Sequence, residues 1–172
     1  EEHTKQNPQA IAVRDNERSL TYEELSIKSN QLAHKLIQLG AKKNVAVAVM
    51  LPQGSDWIVS ILAICKAGAI YVPIDSAQPE SRRNFMIREA NTQILITDPA
   101  LIPKKDRDHL EVLYLEECSA AIEGLDKSLP AQAKDPESIA YVMFTSGSTG
   151  MPKGAAISHG ALAQYLDSLN QS

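Results

Sequence analysis

The run Val45-Ala46-Val47-Ala48-Val49-Met50-Leu51 is apolar at every position, with none of the in–out alternation of a strand that has one wet face. A strand of that kind is buried on both sides, which is the condition of a parallel sheet covered by helices. What flanks it agrees. On the N-terminal side, Leu25, Leu32, Leu36 and Leu39 make a helical stripe ending at Gly40, and Thr21 with Glu24 three residues later forms a capping box at its start. On the C-terminal side, Trp57, Ile58, Ile61, Leu62 and Cys65 recur at helical spacing from about Ser55 to Lys66, and Gly68 stops that helix before a strand over residues 69–74. Pro79 is expected in the first turn of a third helix reaching about Ala90, followed by a strand over Gln93–Thr97. The resulting β-α-β-α-β order predicts an α/β fold, layered, with a mainly parallel sheet flanked by helices and joined by right-handed crossovers.

Residues 10–13 and 19–22 are expected to form a small hairpin ahead of the first helix. Between Asp98 and Asp135 the character changes: prolines at 99, 103 and 130, mixed charges, and one expected strand at 112–115. That stretch is read as a loop-rich surface excursion rather than an interdomain linker. Ser158 is placed to cap a last helix running through Leu169.

The chemistry concentrates in Phe144-Thr145-Ser146-Gly147-Ser148-Thr149-Gly150-Met151-Pro152-Lys153-Gly154. Glycines let a backbone approach an anion closely, the hydroxyls of Thr145, Ser146, Ser148 and Thr149 donate hydrogen bonds, and Lys153 supplies a mobile positive charge. Apolar β-prone segments precede and follow, so the loop is expected to join two strands and to cradle phosphate. Counting excludes two other phosphate motifs. From Gly147 the fifth residue on is Pro152, and Lys153 is followed by Gly154 rather than Ser or Thr, so this is no Walker loop; a Gly-x-Gly-x-x-Gly fingerprint is also missing. A solvated Ser/Gly hairpin is the plain alternative for such a composition.

The order Phe-Thr-Ser-Gly-Ser-Thr-Gly-Met-Pro-Lys-Gly resembles the signature of the adenylate-forming (AMP-binding) enzymes. Two upstream segments resemble further motifs of the same superfamily: Leu20-Thr21-Tyr22-Glu23-Glu24-Leu25, and Lys66-Ala67-Gly68-Ala69-Ile70-Tyr71-Val72-Pro73-Ile74-Asp75 with Pro79 and Arg82. Within it, Asp75 makes the chain more similar to adenylation domains of nonribosomal peptide synthetases than to acyl-CoA synthetases. The resemblance implies an ATP- and Mg²⁺-dependent ligase that converts an amino or other carboxylic acid to an acyl-adenylate. In the parent protein the acyl group then passes to a phosphopantetheine thiol on a carrier-protein domain. It implies that Thr145, Ser146, Gly147, Ser148, Thr149, Gly150 and Lys153 bind the nucleotide phosphates, with Lys153 catalytic through charge neutralisation, and that no metal ligand is identifiable in this chain. Residues 1–172 would be the N-terminal portion of an adenylation domain lacking the C-terminal subdomain, and inactive alone. An acyl-CoA synthetase, or a non-catalytic nucleotide-binding fragment, is the alternative.

The remaining residues point to support roles. Lys66, Asp75 and Arg82 are assigned to folding, because the motif around them reads as a helix stop and a core strand; Thr21 and Glu24 have their capping explanation. His159 has no carboxylate at a useful spacing and is assigned a surface or capping role. The cysteines, Cys65 and Cys118, offer neither metal spacing nor a disulfide framework, and read as reduced thiols of a cytoplasmic protein. A net charge of −4 argues against a nucleic-acid partner. The longest apolar runs fall far short of the ~18 residues that cross a membrane.

Overall fold

The computed structural model describes residues 2–16, 18–101, 110–131, 135–145 and 152–170. Its elements are α1 (Glu2–Gln6), β1 (Ile11–Arg14), β2 (Ser19–Thr21), α2 (Tyr22–Gln38), β3 (Ala46–Met50), α3 (Ser55–Lys66), β4 (Ile70–Pro73), α4 (Glu80–Glu89), β5 (Thr92–Thr97), β6 (Glu111–Tyr114), α5 (Leu115–Glu123), β7 (Ile139–Thr145), β8 (Lys153–Ser158) and α6 (His159–Asn170). Strands β1 and β2 form a separate antiparallel pair, and the other six make one sheet in the order β6-β5-β3-β4-β7-β8. Every neighbouring pair in that sheet is parallel except β7 with β8. The fold is the α/β layered sheet that the unbroken apolar run predicted.

The reason for that run is visible in how its residues divide. Val47 and Val49 join Ile94, Ile96, Tyr71 and Leu113 on one face, packed by Leu32 and Leu36 of α2, Val59 and Ile64 of α3, and Ile122 of α5. Ala46, Ala48 and Met50 join Ile70, Val72 and Leu95 on the other, packed by Phe85, Met86 and Ile87 of α4. Both faces being dry, neither parity of the strand tolerates a polar side chain.

Local signals set the helix ends. The Thr21–Glu24 capping box forms reciprocally: the Glu24 amide donates to Thr21 Oγ1 at 3.2 Å and the Thr21 amide to Glu24 Oε2 at 2.8 Å. Three helices that feed strands end on a left-handed residue: Gly40 (φ 96°) after α2, Gly68 (φ 69°) after α3 and Asn91 (φ 48°) after α4. Glycine is favoured at such a position because it has no Cβ to clash, and asparagine is the commonest substitute.

Two expectations need correction, and one element is new. The 98–135 stretch is not a mere surface excursion: β6 pairs in parallel with β5, and α5 packs Leu115, Cys118 and Ile122 into the core. That helix gives little sign of itself in the sequence because Tyr114 at its N-cap makes no side-chain capping bond and its apolar positions are few. Pro79 is the N-cap residue of α4, with ψ 143°, and the helix begins one residue later. Finally, α1 is an addition to the expected elements; it is a short helix whose His3 ring stacks on Tyr22 at 5.7 Å.

Candidate functional site

Strands β7 and β8 form an antiparallel hairpin whose last pairs are Phe144 with Gly154 and Thr145 with Lys153. The two ends of the Ser/Gly-rich loop are thereby fixed one interstrand spacing apart, about 5 Å. Thr145 and Lys153 face each other at the mouth of the hairpin, both exposed, while Pro152 beside them is buried. Of the phosphate-loop residues singled out from the sequence, the structure brings these two together. Ser146, Gly147, Ser148, Thr149 and Gly150 lie outside the described residues, as does Met151.

The mouth opens at the carboxyl edge of the sheet, since β7 runs parallel to β4, with Tyr71 level with Tyr141. In open α/β sheets ligands collect along that edge. Gly154 has a packing reason to be glycine: a Cβ there would come within 3.1 Å of Val142 Cγ1 and 3.4 Å of the Phe144 ring. The absence of a side chain lets Phe144 lie over β8 and turn into the α4 face of the core, which anchors the strand leading into the loop.

His159 sits at the far end of β8, six residues from Lys153 and about 20 Å away at strand rise. It opens α6; its amide donates to the Ser138 carbonyl at 2.9 Å, and the Ala161 amide donates to Ser158 Oγ at 3.2 Å. The side-chain cap of α6 is thus Ser158, while His159 joins the start of β7 through its backbone amide. With Lys43, Cys65, Lys66 and Asp135, His159 lines a hollow of about 700 Å³ below the amino ends of β4 and β7. Asp135 is held below the usual carboxylate range by its 2.6 Å bond from Lys43 Nζ.

The upstream motif is in part structural. Lys66 Nζ donates to the Ser26 carbonyl (3.3 Å), Ser29 Oγ (2.8 Å) and Asn30 Oδ1 (2.7 Å), tying the end of α3 to α2. Asp75 Oδ1 accepts the Ala77 amide at 2.9 Å and shapes the turn into α4. Tyr71 is buried in the core, and that burial pushes its hydroxyl up to about 12. The Nε of Arg82, like the Tyr71 hydroxyl, Gln78 Oε1 and Thr92 Oγ1, is shut off from solvent without a hydrogen-bond partner among the described residues. The sequence assigns Arg82 to folding, and the structure places it in the first turn of α4.

Cys65 and Cys118 are free thiols on different helices, and burial pushes the Cys65 thiol up, away from the reactive thiolate. Among the described residues no three His, Cys, Asp or Glu side chains gather as a metal site would require, and no helix is long and apolar enough to cross a membrane.

The hairpin motif on a parallel α/β sheet defines the class. The AMP-binding enzyme family model matches residues 1–171, and the chain belongs to that family. It is 38% identical over 165 residues to tyrocidine synthase 3 of Brevibacillus parabrevis, covering 96% of this chain and 2% of that protein. It is 35% identical over 162 residues to bacitracin synthase 1 of Bacillus licheniformis, covering 94% and 3%. The fold is that of the nonribosomal peptide synthetase FmoA3 in its α-methyl-L-serine-AMP-bound form: TM-score 0.87 at 24% identity, over 99% of this chain and 19% of that one. The AMPPNP-bound form of the same protein gives TM-score 0.87 at 25% identity, over 99% and 18%. The chain therefore spans only 2% and 3% of the length of these two curated relatives.

Proposed function

We propose that this chain is the phosphate-binding part of an adenylation domain in a longer protein that activates an amino acid with ATP. The observation that carries the reading is the pairing of Thr145 with Lys153, which closes a hydroxyl- and glycine-rich loop at the carboxyl edge of the sheet. In the reaction the substrate carboxylate oxygen attacks the α-phosphorus of ATP. The bond from that phosphorus to the bridging oxygen breaks, giving acyl-adenylate and pyrophosphate. The carboxylate is already a nucleophile, so no base is required of this chain. Its task is to hold the leaving group: hydroxyls of Thr145, Ser146, Ser148 and Thr149 donate to phosphate oxygens, Gly147 and Gly150 allow the backbone close, and Lys153 neutralises charge that builds on pyrophosphate.

Thr145 and Lys153 fit that donor set, being exposed and side by side. The described residues offer no carboxylate cluster for Mg²⁺, so no step is assigned to a metal here. In the second half-reaction a phosphopantetheine thiol of a carrier domain displaces AMP from the acyl carbonyl; we assign this, and a cytoplasmic setting, to the whole protein. With 19% of the matching solved chain represented, residues 1–172 alone are expected not to catalyse.

The test is exchange of radiolabelled pyrophosphate into ATP by the intact protein, across a panel of amino acids and simple carboxylic acids. Exchange that depends on an amino acid supports the reading. Exchange with fatty or aryl acids, coupled to coenzyme A consumption, would move the protein to the acyl-CoA synthetases.

A further inference from the structure

The helices that cover the sheet stop short of one end. On the face of α2, α3 and α5 the packing reaches as far as Tyr141 of β7. Strand alternation puts Met143 and Thr145 on the same face as Tyr141, while Val142 and Phe144 turn to α4. Antiparallel pairing sets Ile157, Ala155 and Lys153 opposite Tyr141, Met143 and Thr145, so all six share that face. Met143 is 47% exposed there, and Ala155 lies open beside it. Strand β8 is last in the strand order, so no described strand borders the patch on its outer side.

Helix α6 adds a second apolar surface. Its first residues share a hollow with Leu62 and Cys65 of α3, which puts its start on the α3 side of the sheet. Leu162, Tyr165, Leu166 and Leu169 recur at helical spacing as one stripe, with Gln164, Asp167 and Ser168 on the opposite side. A helix ordinarily buries such a stripe, yet Tyr165, Leu166 and Leu169 are 61%, 49% and 55% exposed. With Met143 they are four of the six large hydrophobic side chains left exposed among the described residues, so uncovered apolar surface is concentrated at this end of the molecule. A concentration of that kind marks a surface that a partner covers. Length identifies the partner. Solved chains that share this fold at TM-score 0.87 are represented here by 18% and 19% of their length, so most of such a chain lies outside residues 1–172 and has to pack against them somewhere. An isologous dimer through this face would instead lie across the Thr145–Lys153 mouth in both copies and shut it.

We propose that Met143, Ala155 and the Leu162–Leu169 stripe are the seat on which the remainder of the same adenylation domain packs, and that the body seated there forms the wall facing Thr145 and Lys153. The inference rests on the function proposed above and deepens it. Thr145 and Lys153 share a face with the patch, so whatever covers Met143 and Ala155 turns an open strand end into one side of a cleft. Met143 is then a positioning residue: one alternation inward from Thr145, it sets where that wall stands without contacting the nucleotide.

The experiment uses the intact protein. Met143→Cys and Leu166→Cys are labelled with a soluble maleimide beside Ser119→Cys, an exposed reference position on α5, and labelled peptides are read by mass spectrometry to separate Cys65 and Cys118. Both test positions are expected to label about tenfold slower than Ser119→Cys, at every protein concentration. Leu166→Cys tests the face by itself should Met143→Cys fail to fold. In pyrophosphate exchange Met143→Ala should raise the KM for ATP about threefold through a misplaced wall, and the volume-conserving Met143→Leu should restore it. A melting temperature that falls in Met143→Ala while the KM for ATP is kept would overturn the positioning role. Labelling as fast as Ser119→Cys at either position, in a protein that exchanges pyrophosphate, overturns this inference alone. Protection that disappears on dilution overturns it as well, since the face then belongs to a second copy. A protein that exchanges with no acid sinks the proposed function and this inference together.

Discussion

The centre of the sheet and its β7–β8 margin are built on opposite terms. In β3 every residue is buried, and the flanking β4 and β5 are nearly so. In β8 the first four residues are exposed, and β7 alternates between exposed and half-buried along its second half. The centre owes its geometry to apolar contact on two faces, so its side chains carry stability and no chemistry. The margin is held by ladder hydrogen bonds and by Tyr141, Val142 and Phe144 packed onto the core, and it leaves Thr145 and Lys153 exposed at its end. Separating the two lets a charged, glycine-rich loop sit on a rigid edge without weakening the core that positions it.

Substitutions in the two regions should therefore fail in different ways. Leu95→Ala removes a fully buried side chain from the α4 face of the sheet and is expected to cost about 2–5 kcal/mol in denaturant unfolding. A cost below the level of a surface change would mean that the centre is not the stabilising part. Lys153→Ala in the intact protein should slow adenylate formation by about 2–4 kcal/mol of transition-state stabilisation while leaving the melting temperature unchanged. Single-turnover adenylation at saturating ATP reads the first and thermal denaturation the second; a slow variant that is also unfolded would move Lys153 from chemistry to structure.

Lys66→Met tests a polar exception near the core. It leaves Ser29 and Asn30 without a donor they now share, and should lower unfolding free energy by about 1–3 kcal/mol, without a direct effect on ATP affinity. Smaller still is Thr21→Ala, which removes one half of the capping box for about 1 kcal/mol, measurable as a shift in urea midpoint.

The acid limb of stability gives the smallest and most local signal. Glu24, held down first by the Thr21 amide, and Asp135, held down first by Lys43, both have folded-state values below their unfolded ones. Their contribution is thus complete above the unfolded carboxylate range of about 3.9–4.3 and is lost as pH falls through the lowered folded values. Urea midpoints should be flat from neutral pH down to about 5 and decline below about 4. In Lys43→Met the Asp135 share of that decline should shrink, the part due to the Glu137 amide remaining; an unchanged acid limb would show that the Lys43–Asp135 pair contributes nothing.

Much of this molecule was legible along the chain. The unbroken apolar run at residues 45–51, the Thr21–Glu24 box, the glycines after α2 and α3 and the order of the phosphate-loop residues are local or periodic signals, and a linear text preserves those. The missed pieces lack such signals. Helix α5 has no side-chain cap and a short apolar face, and it becomes a helix because α2 and the sheet bury Leu115, Cys118 and Ile122 together. Asn91 could be recognised as the stop of α4 only from its φ.

For the site, the sequence by itself determined the donor set: hydroxyls, glycines and a lysine in one loop suffice to point to a phosphate ligand, because those groups act locally. The tertiary structure decided which edge of the sheet the loop opens on, that Thr145 faces Lys153, and which of two adjacent arginines is spent. Arg82 and Arg83 are the same residue type one position apart on the same helix turn; Arg83 Nη1 donates to the Ser76 carbonyl and reaches Met50 Sδ, while Arg82 Nε has no partner among the described residues. Whether a guanidinium is satisfied depends on the atoms that surround it, and those come from β3 and the β4–α4 turn, not from its own place in the chain.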